Sequence, residues 1–137
     1  MKKSLLVPFV LLVVNFLVIA YGMLSGIPKI TLAAMLPFFL LGITLIILTL
    51  KQKIKGLLKK FLLLTGFSAA GFLVSGILHN AIYAVFKNFF DKTAAGDEVV
   101  FFTIAILVCP LGFLVGAVGS IVLLFMQKKR NHSGLSQ

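Results

Sequence analysis

The sequence predicts an all-α polytopic membrane protein: four transmembrane helices in an up-down antiparallel bundle, with both termini on one side. Three observations predict it. Of 137 residues, 61% are hydrophobic and 12% are charged. The charges collect between four long intervals that contain none. Of the 13 basic residues, most fall on alternate connections. A net charge of +10 would suit a nucleic-acid binder, but a soluble domain with so little polar surface would not stay dispersed.

The charge-free intervals are Ser4–Pro28, Ile30–Leu50, Phe61–Phe86 and Val99–Gln127, of 25, 21, 26 and 29 residues. Roughly 20 apolar residues in a helix cross a ~30 Å hydrocarbon core, and a helix satisfies its own backbone polar groups there. Helices are therefore expected at about 4–25, 30–50, 61–86 and 98–127, in one membrane domain covering residues 1–137. The first interval follows Lys2-Lys3 as a signal peptide would. It outruns the ~7–15-residue apolar core of such peptides, and no A-x-A site follows, so it reads as an anchor. Ser25-Gly26-Ile27-Pro28-Lys29 is a tight turn by composition. Lys51–Lys60 is a basic link, Lys87–Glu98 is the longest loop, and residues 131–137 form a polar tail. Short links make sequential helices antiparallel neighbours.

Orientation follows from the bias of Lys and Arg across alternate connections. Lys2, Lys3, Lys51, Lys53, Lys55, Lys59, Lys60, Lys128, Lys129 and Arg130 share one side, ten residues with no acid among them. Lys29, Lys87 and Lys92 share the other with Asp91, Asp97 and Glu98, so that side sums to zero. Both termini are expected in the cytoplasm of a prokaryotic cell. Lys51, Lys53, Lys55, Lys59 and Lys60 would contact anionic lipid headgroups, each worth ~1 kcal/mol. This accounts for the basic residues without nucleic acid.

Lipid tails are as apolar as leucine, so close fit and hydrogen bonds must hold the helices together. Gly112, Gly116 and Ser120, with Gly119 alongside, make consecutive small-xxx-small steps on the fourth span. On the third, Ser68, Gly71, Ser75, His79 and Tyr83 share a face at ~100° per residue, and that span reads as central. With four helices available, an internal contact is favoured over one between subunits. Ser68 and Ser75 are expected to bond back to the preceding turn. Asn15 lies near mid-membrane as interhelical glue, and Cys109, at a similar depth, is a small apolar packing residue. Pro37 and Pro110 should kink or loosen their helices.

One layer collects the remaining polar side chains. By the ~1.5 Å rise per residue, His79, Asn80 and Tyr83 lie near the outer boundary, as do Tyr21, Asp97 and Glu98. Histidine with carboxylates can bind a cation or shuttle a proton, so these six form a candidate ligand or ion site. Each also has a structural reading. Asp97 and Glu98 suit a helix N-terminus, the tyrosines an aromatic belt, and His79 and Asn80 local hydrogen bonds.

Several chemistries are excluded or unsupported. The chain resembles small multidrug-resistance exporters in size and in having four spans. No span carries Asp, Glu, Lys or Arg, so the acidic residue that resemblance requires is missing. Quinone-linked thiol oxidoreduction needs paired cysteines, and Cys109 is alone. No metalloprotease, nucleophile-elbow, phosphate-loop or dinucleotide motif occurs. The expected function is non-enzymatic, without metal or cofactor: packing in the membrane with a second copy or another membrane protein, through the small-residue faces of the third and fourth spans. The alternatives are a transporter or channel component using the outer layer, and an enzyme acting on lipid.

Overall fold

Glycine and proline set the turns at residues 26–28 and 56. The computed structural model describes residues 3–52, 54–89, 100 and 103–133. Among these the regular elements are α1 (Lys3–Leu24), α2 (Pro28–Lys51), α3 (Leu57–Phe89), a π-helical turn (Ile104–Val108) and α4 (Cys109–Ser133). Four helical stretches are long and apolar enough to cross a membrane: Ser4–Leu24, Pro28–Lys51, Leu57–Val85 and Ile104–Gln127. The last joins the π turn to α4.

α1 closes in a Schellman motif. The Ile27 N–H donates to the Gly22 carbonyl at 3.0 Å and the Gly26 N–H to the Met23 carbonyl at 3.3 Å. Gly26 takes the left-handed φ of 66° that this geometry needs. Pro28 then starts α2 two residues before the charge-free interval opens, because its fixed φ suits a first helical turn and its missing N–H would have no partner there. The basic link is shorter than its charges suggest. α2 runs through Lys51, where a cation suits the helix C-terminus, and the Gln52 N–H caps the Leu48 carbonyl at 2.9 Å. Gly56, at φ 76°, turns the chain into α3, which starts at Leu57 rather than Phe61. Lys59 and Lys60 therefore stand on the first turn of α3. At the other end α4 continues to Ser133, into the segment expected as tail.

The prolines act differently from one another. Pro37 lies inside α2 and offers no N–H to the Ala33 carbonyl. One residue on, the Ala34 carbonyl accepts a hydrogen bond of 3.1 Å from Asn15 Nδ2 on α1. A polar side chain from a neighbouring helix thus serves the interrupted stretch of α2. Before Pro110 the helix widens into the π turn, and the Cys109 N–H reaches back five residues to the Ile104 carbonyl. Replacing Asn15 with Leu removes the α1–α2 bond, and a loss of about 1 kcal/mol is expected in reversible unfolding in mixed micelles. An unchanged midpoint would mean that the bond is matched by contacts in the unfolded state.

Close backbone contact runs from α1 to α2, from α2 to α3 and from α3 to α4. Near one end of α1, Gly22 lies against Thr31; near the other, Gln52 Nε2 donates to Ser4 Oγ at 3.0 Å. Glycines open the other two contacts. A Cβ on Gly42 would stand 3.1 Å from the Gly66 carbonyl, and one on Gly66 would stand 3.1 Å from the Gly42 carbonyl, so α2 and α3 meet backbone to backbone. A Cβ on Gly116 would stand 2.5 Å from Thr65 Oγ1 and 2.9 Å from the Phe61 carbonyl. α2 and α3 are each in close contact with a helix on either side. Between these contacts the core is hydrocarbon, with Leu5, Leu12, Leu45, Leu62 and Phe113 fully or almost fully buried. The faces turned outward are rich in Leu, Val and Ile, as a helix surrounded by lipid requires.

Candidate functional site

Four residues of the polar layer, Tyr21, His79, Asn80 and Tyr83, lie among those described. The Asn80 amide is exposed and donates to the Gly76 carbonyl of its own helix at 3.0 Å. Tyr21 is 62% exposed near the end of α1 and Tyr83 is 42% exposed on α3, so both phenol rings stand on the outside of the helices. His79 is half-buried. Asp97 and Glu98 lie outside the described residues. No three His, Cys, Asp or Glu side chains converge among the residues that are described. Of the basic link, Lys51, Lys55 and Lys60 are exposed and Lys59 is half-buried, while Lys53 lies outside the described residues.

The small-residue faces of α3 and α4 pack on one another. A Cβ on Gly112 would stand 2.6 Å from Ser68 Oγ, one on Gly119 would collide with the Phe61 ring, and one on Gly71 would stand 3.3 Å from Cys109 Sγ. Ser68, Ser75 and Ser120 are buried. These faces meet one another within the chain. Among the described residues, the side chains of Thr44, Thr65 and Asn80 donate back to carbonyls of their own helices. The Ser120 hydroxyl, like that of Thr49 on α2, is fully buried without a hydrogen-bond partner. At 0% exposure, both are closed to a solute.

A feature not anticipated from the sequence lies at the centre. Each helix contributes one phenylalanine to a cluster: Phe16 from α1, Phe38 from α2, Phe72 from α3 and Phe113 from α4. Phe16 stacks on Phe113 with ring centres 4.5 Å apart, and Phe38 meets Phe113 at 5.3 Å. Phe72 presents its edge to Phe38 at 6.3 Å, a geometry that suits the ring quadrupoles. Fourteen phenylalanines spread over the chain hide these four, since no spacing within one helix singles them out. The only sequence signal is that each stands well inside its own span.

The Phe16–Phe113 stack divides the seam between α1 and α4, two helices without the close backbone contact of the other neighbours. On one side is a groove of about 460 Å³, lined by Leu6, Phe9, Val10, Val13 and Val14 of α1 and Ile121, Leu124 and Phe125 of α4. On the other is a cavity of about 200 Å³ that all four helices line. Its walls include Ile19, Ala20 and Met23 of α1, the aromatic cluster, Ser68 of α3, and Ile106, Cys109 and Pro110 at the start of the fourth span. Both spaces are apolar, and neither carries a charged group. Their chemistry is that of contact with hydrocarbon, not of proton transfer or ion coordination.

The chain matches no family model, and no curated protein or solved structure is significantly similar to it. Fold and site together define an all-helical protein with four helices able to cross a membrane, consistent with a small multi-pass membrane protein.

Proposed function

We propose that this is a small non-enzymatic protein of a prokaryotic cytoplasmic membrane, working by apolar contact with another transmembrane helix at the seam between α1 and α4. The helices run up and down in turn with both termini in the cytoplasm, a reading supported by the ten-to-three bias of basic residues and by the short turns. The exposed lysines around Gly56 lie at anionic headgroups and hold that end of the bundle at the interface.

The groove lined by Val10, Val14, Leu124 and Phe125 carries the proposal. In lipid, helices associate where their surfaces fit, and a concave apolar seam offers more contact to a helix ridge than the convex faces of α2 and α3 do. The small-residue faces of α3 and α4 are spent on internal contact, so the partner surface moves to the seam. The partner is a helix of a second copy or of another membrane protein.

The test is thiol crosslinking in native membranes from Val14→Cys, in a Cys109→Ala background, beside Leu36→Cys on the exposed face of α2. Adducts are expected from position 14 and not from position 36, and their mass separates a second copy from a different protein. Equal yields at the two positions, or none at either, would remove the seam as a partner surface.

A further inference from the structure

The cavity beyond the Phe16–Phe113 stack is a different kind of space from the groove. It sits among all four helices, and most of its lining is buried or half-buried: Ile19, Phe38, Ser68, Cys109 and Phe113 are buried, while Ala20 and Phe72 are half-buried. Its exposed lining side chains are Met23 and Ile106, which mark a mouth between the last turn of α1 and the π turn. Protein interiors are otherwise packed to the density of organic crystals. An unfilled void of this size deprives every wall of dispersion contacts, so a molecule that fills it stabilises the fold.

Size and chemistry select the occupant. A dry apolar cavity of ~150 Å³ accepts one benzene ring, and this one is about 200 Å³. Among the described residues, Ser68 and Cys109 are the only lining side chains that can donate a hydrogen bond, and none is charged. An ion or a polar solute would lose its hydration there and gain little in exchange. The π turn before Pro110 brings Ile106, Cys109 and Pro110 into one wall, and π turns recur where helices form ligand sites. We propose that this cavity binds an unfunctionalised hydrocarbon of about one ring's size, drawn from the bilayer as a free apolar molecule or as the end of a lipid acyl chain. The site is independent of any partner at the seam, so either reading can fail alone.

The chain carries its own reporter, because Cys109 is its only cysteine and lines the cavity. Purified protein in a fluorinated surfactant, whose chains mix poorly with hydrocarbon, is modified with N-ethylmaleimide. Toluene at ten times its dissociation constant is expected to slow Cys109 modification about tenfold, by mass action on the open site. Phospholipid added in its place tells the sources apart: slowing by both assigns the site to acyl chains as well, and slowing by toluene alone assigns it to free molecules. Val118→Cys in a Cys109→Ala background, exposed on the same helix, should show no slowing. Ala20→Phe places a ring inside the cavity and should abolish the toluene effect while helical circular dichroism is retained. The proposal is overturned if neither hydrocarbon slows Cys109, if position 118 is slowed equally, or if folded Ala20→Phe responds as fully as the native protein. Should Ala20→Phe not fold, the native protein still decides, since its unfolding midpoint must rise with toluene and an unchanged midpoint counts against the site.

Discussion

Gly116→Ala is expected to destabilise the protein by about 2 kcal/mol, although alanine is the better helix former. The reason is what the added methyl meets. It would stand 2.5 Å from Thr65 Oγ1, 2.8 Å from the Thr65 amide nitrogen and 2.9 Å from the Phe61 carbonyl. The hydroxyl cannot swing away without giving up its 2.9 Å bond to that same carbonyl. The other two atoms are backbone, so relief requires α3 and α4 to separate along their whole contact. Gly76 on α3 supplies the opposite case, because a Cβ there meets nothing within 4 Å. Gly76→Ala should therefore stabilise, by roughly 0.5–1 kcal/mol, through the lower entropy of the unfolded chain. The pair is measured in one reversible unfolding experiment in mixed micelles. Equal shifts would show that helix propensity, not close approach, governs both sites.

The contrast also explains what was legible in the sequence. Gly112, Gly116 and Ser120 stand out because small-xxx-small spacing is a property of one helix, readable from its own residues. What they meet is not readable in that way. Phe61, Thr65 and Ser68 complete the contact from a helix some fifty residues earlier. Only their placement against α4 shows that the stripe is filled from inside the chain. The Gly42–Gly66 crossing is harder still to read, since Gly42 is the only glycine of α2 and has Phe38 and Ile46 four residues away on either side. Span number and approximate limits were legible because hydrocarbon thickness imposes a length on any charge-free helix. Helix ends were displaced by two to four residues at Pro28 and Leu57. Charge marks where lipid ends, whereas proline geometry and the left-handed Gly56 mark where the helix does.

The polar layer shows the other limit. Tyr21, His79, Asn80 and Tyr83 are expected at one depth because depth follows from counting residues along a helix. Convergence depends on how helices rotate about their axes, which their hydrophobicity fixes poorly when lipid surrounds them on most sides. The fold turns the two tyrosines outward and spends the Asn80 amide on its own helix. The interior is instead organised by rings that individually look like ordinary lipid-facing residues.

Phe113→Ala tests whether those rings hold the bundle together. Phe113 is 2% exposed and touches Phe16 and Phe38, so it is the ring through which α4 joins α1 and α2. In a soluble core such a truncation costs about 3–5 kcal/mol, part of it the transfer of a ring from water. In a bilayer that transfer term vanishes, because the ring leaves protein for lipid of equal apolarity. What remains is the lost stack and the dispersion contacts of a void that joins the existing cavity. A loss of about 3 kcal/mol, at the low end of the soluble range, is therefore expected. Phe67→Ala, at a position 60% exposed on α3 and away from the α1–α4 groove, removes an equal ring that faces outward and should change stability by less than about 0.5 kcal/mol. The difference between the two variants isolates internal contact from hydrophobicity. If they shift the unfolding midpoint alike, the aromatic cluster contributes no more than any lipid-facing phenylalanine, and the α1–α4 seam is closed by something other than its stack.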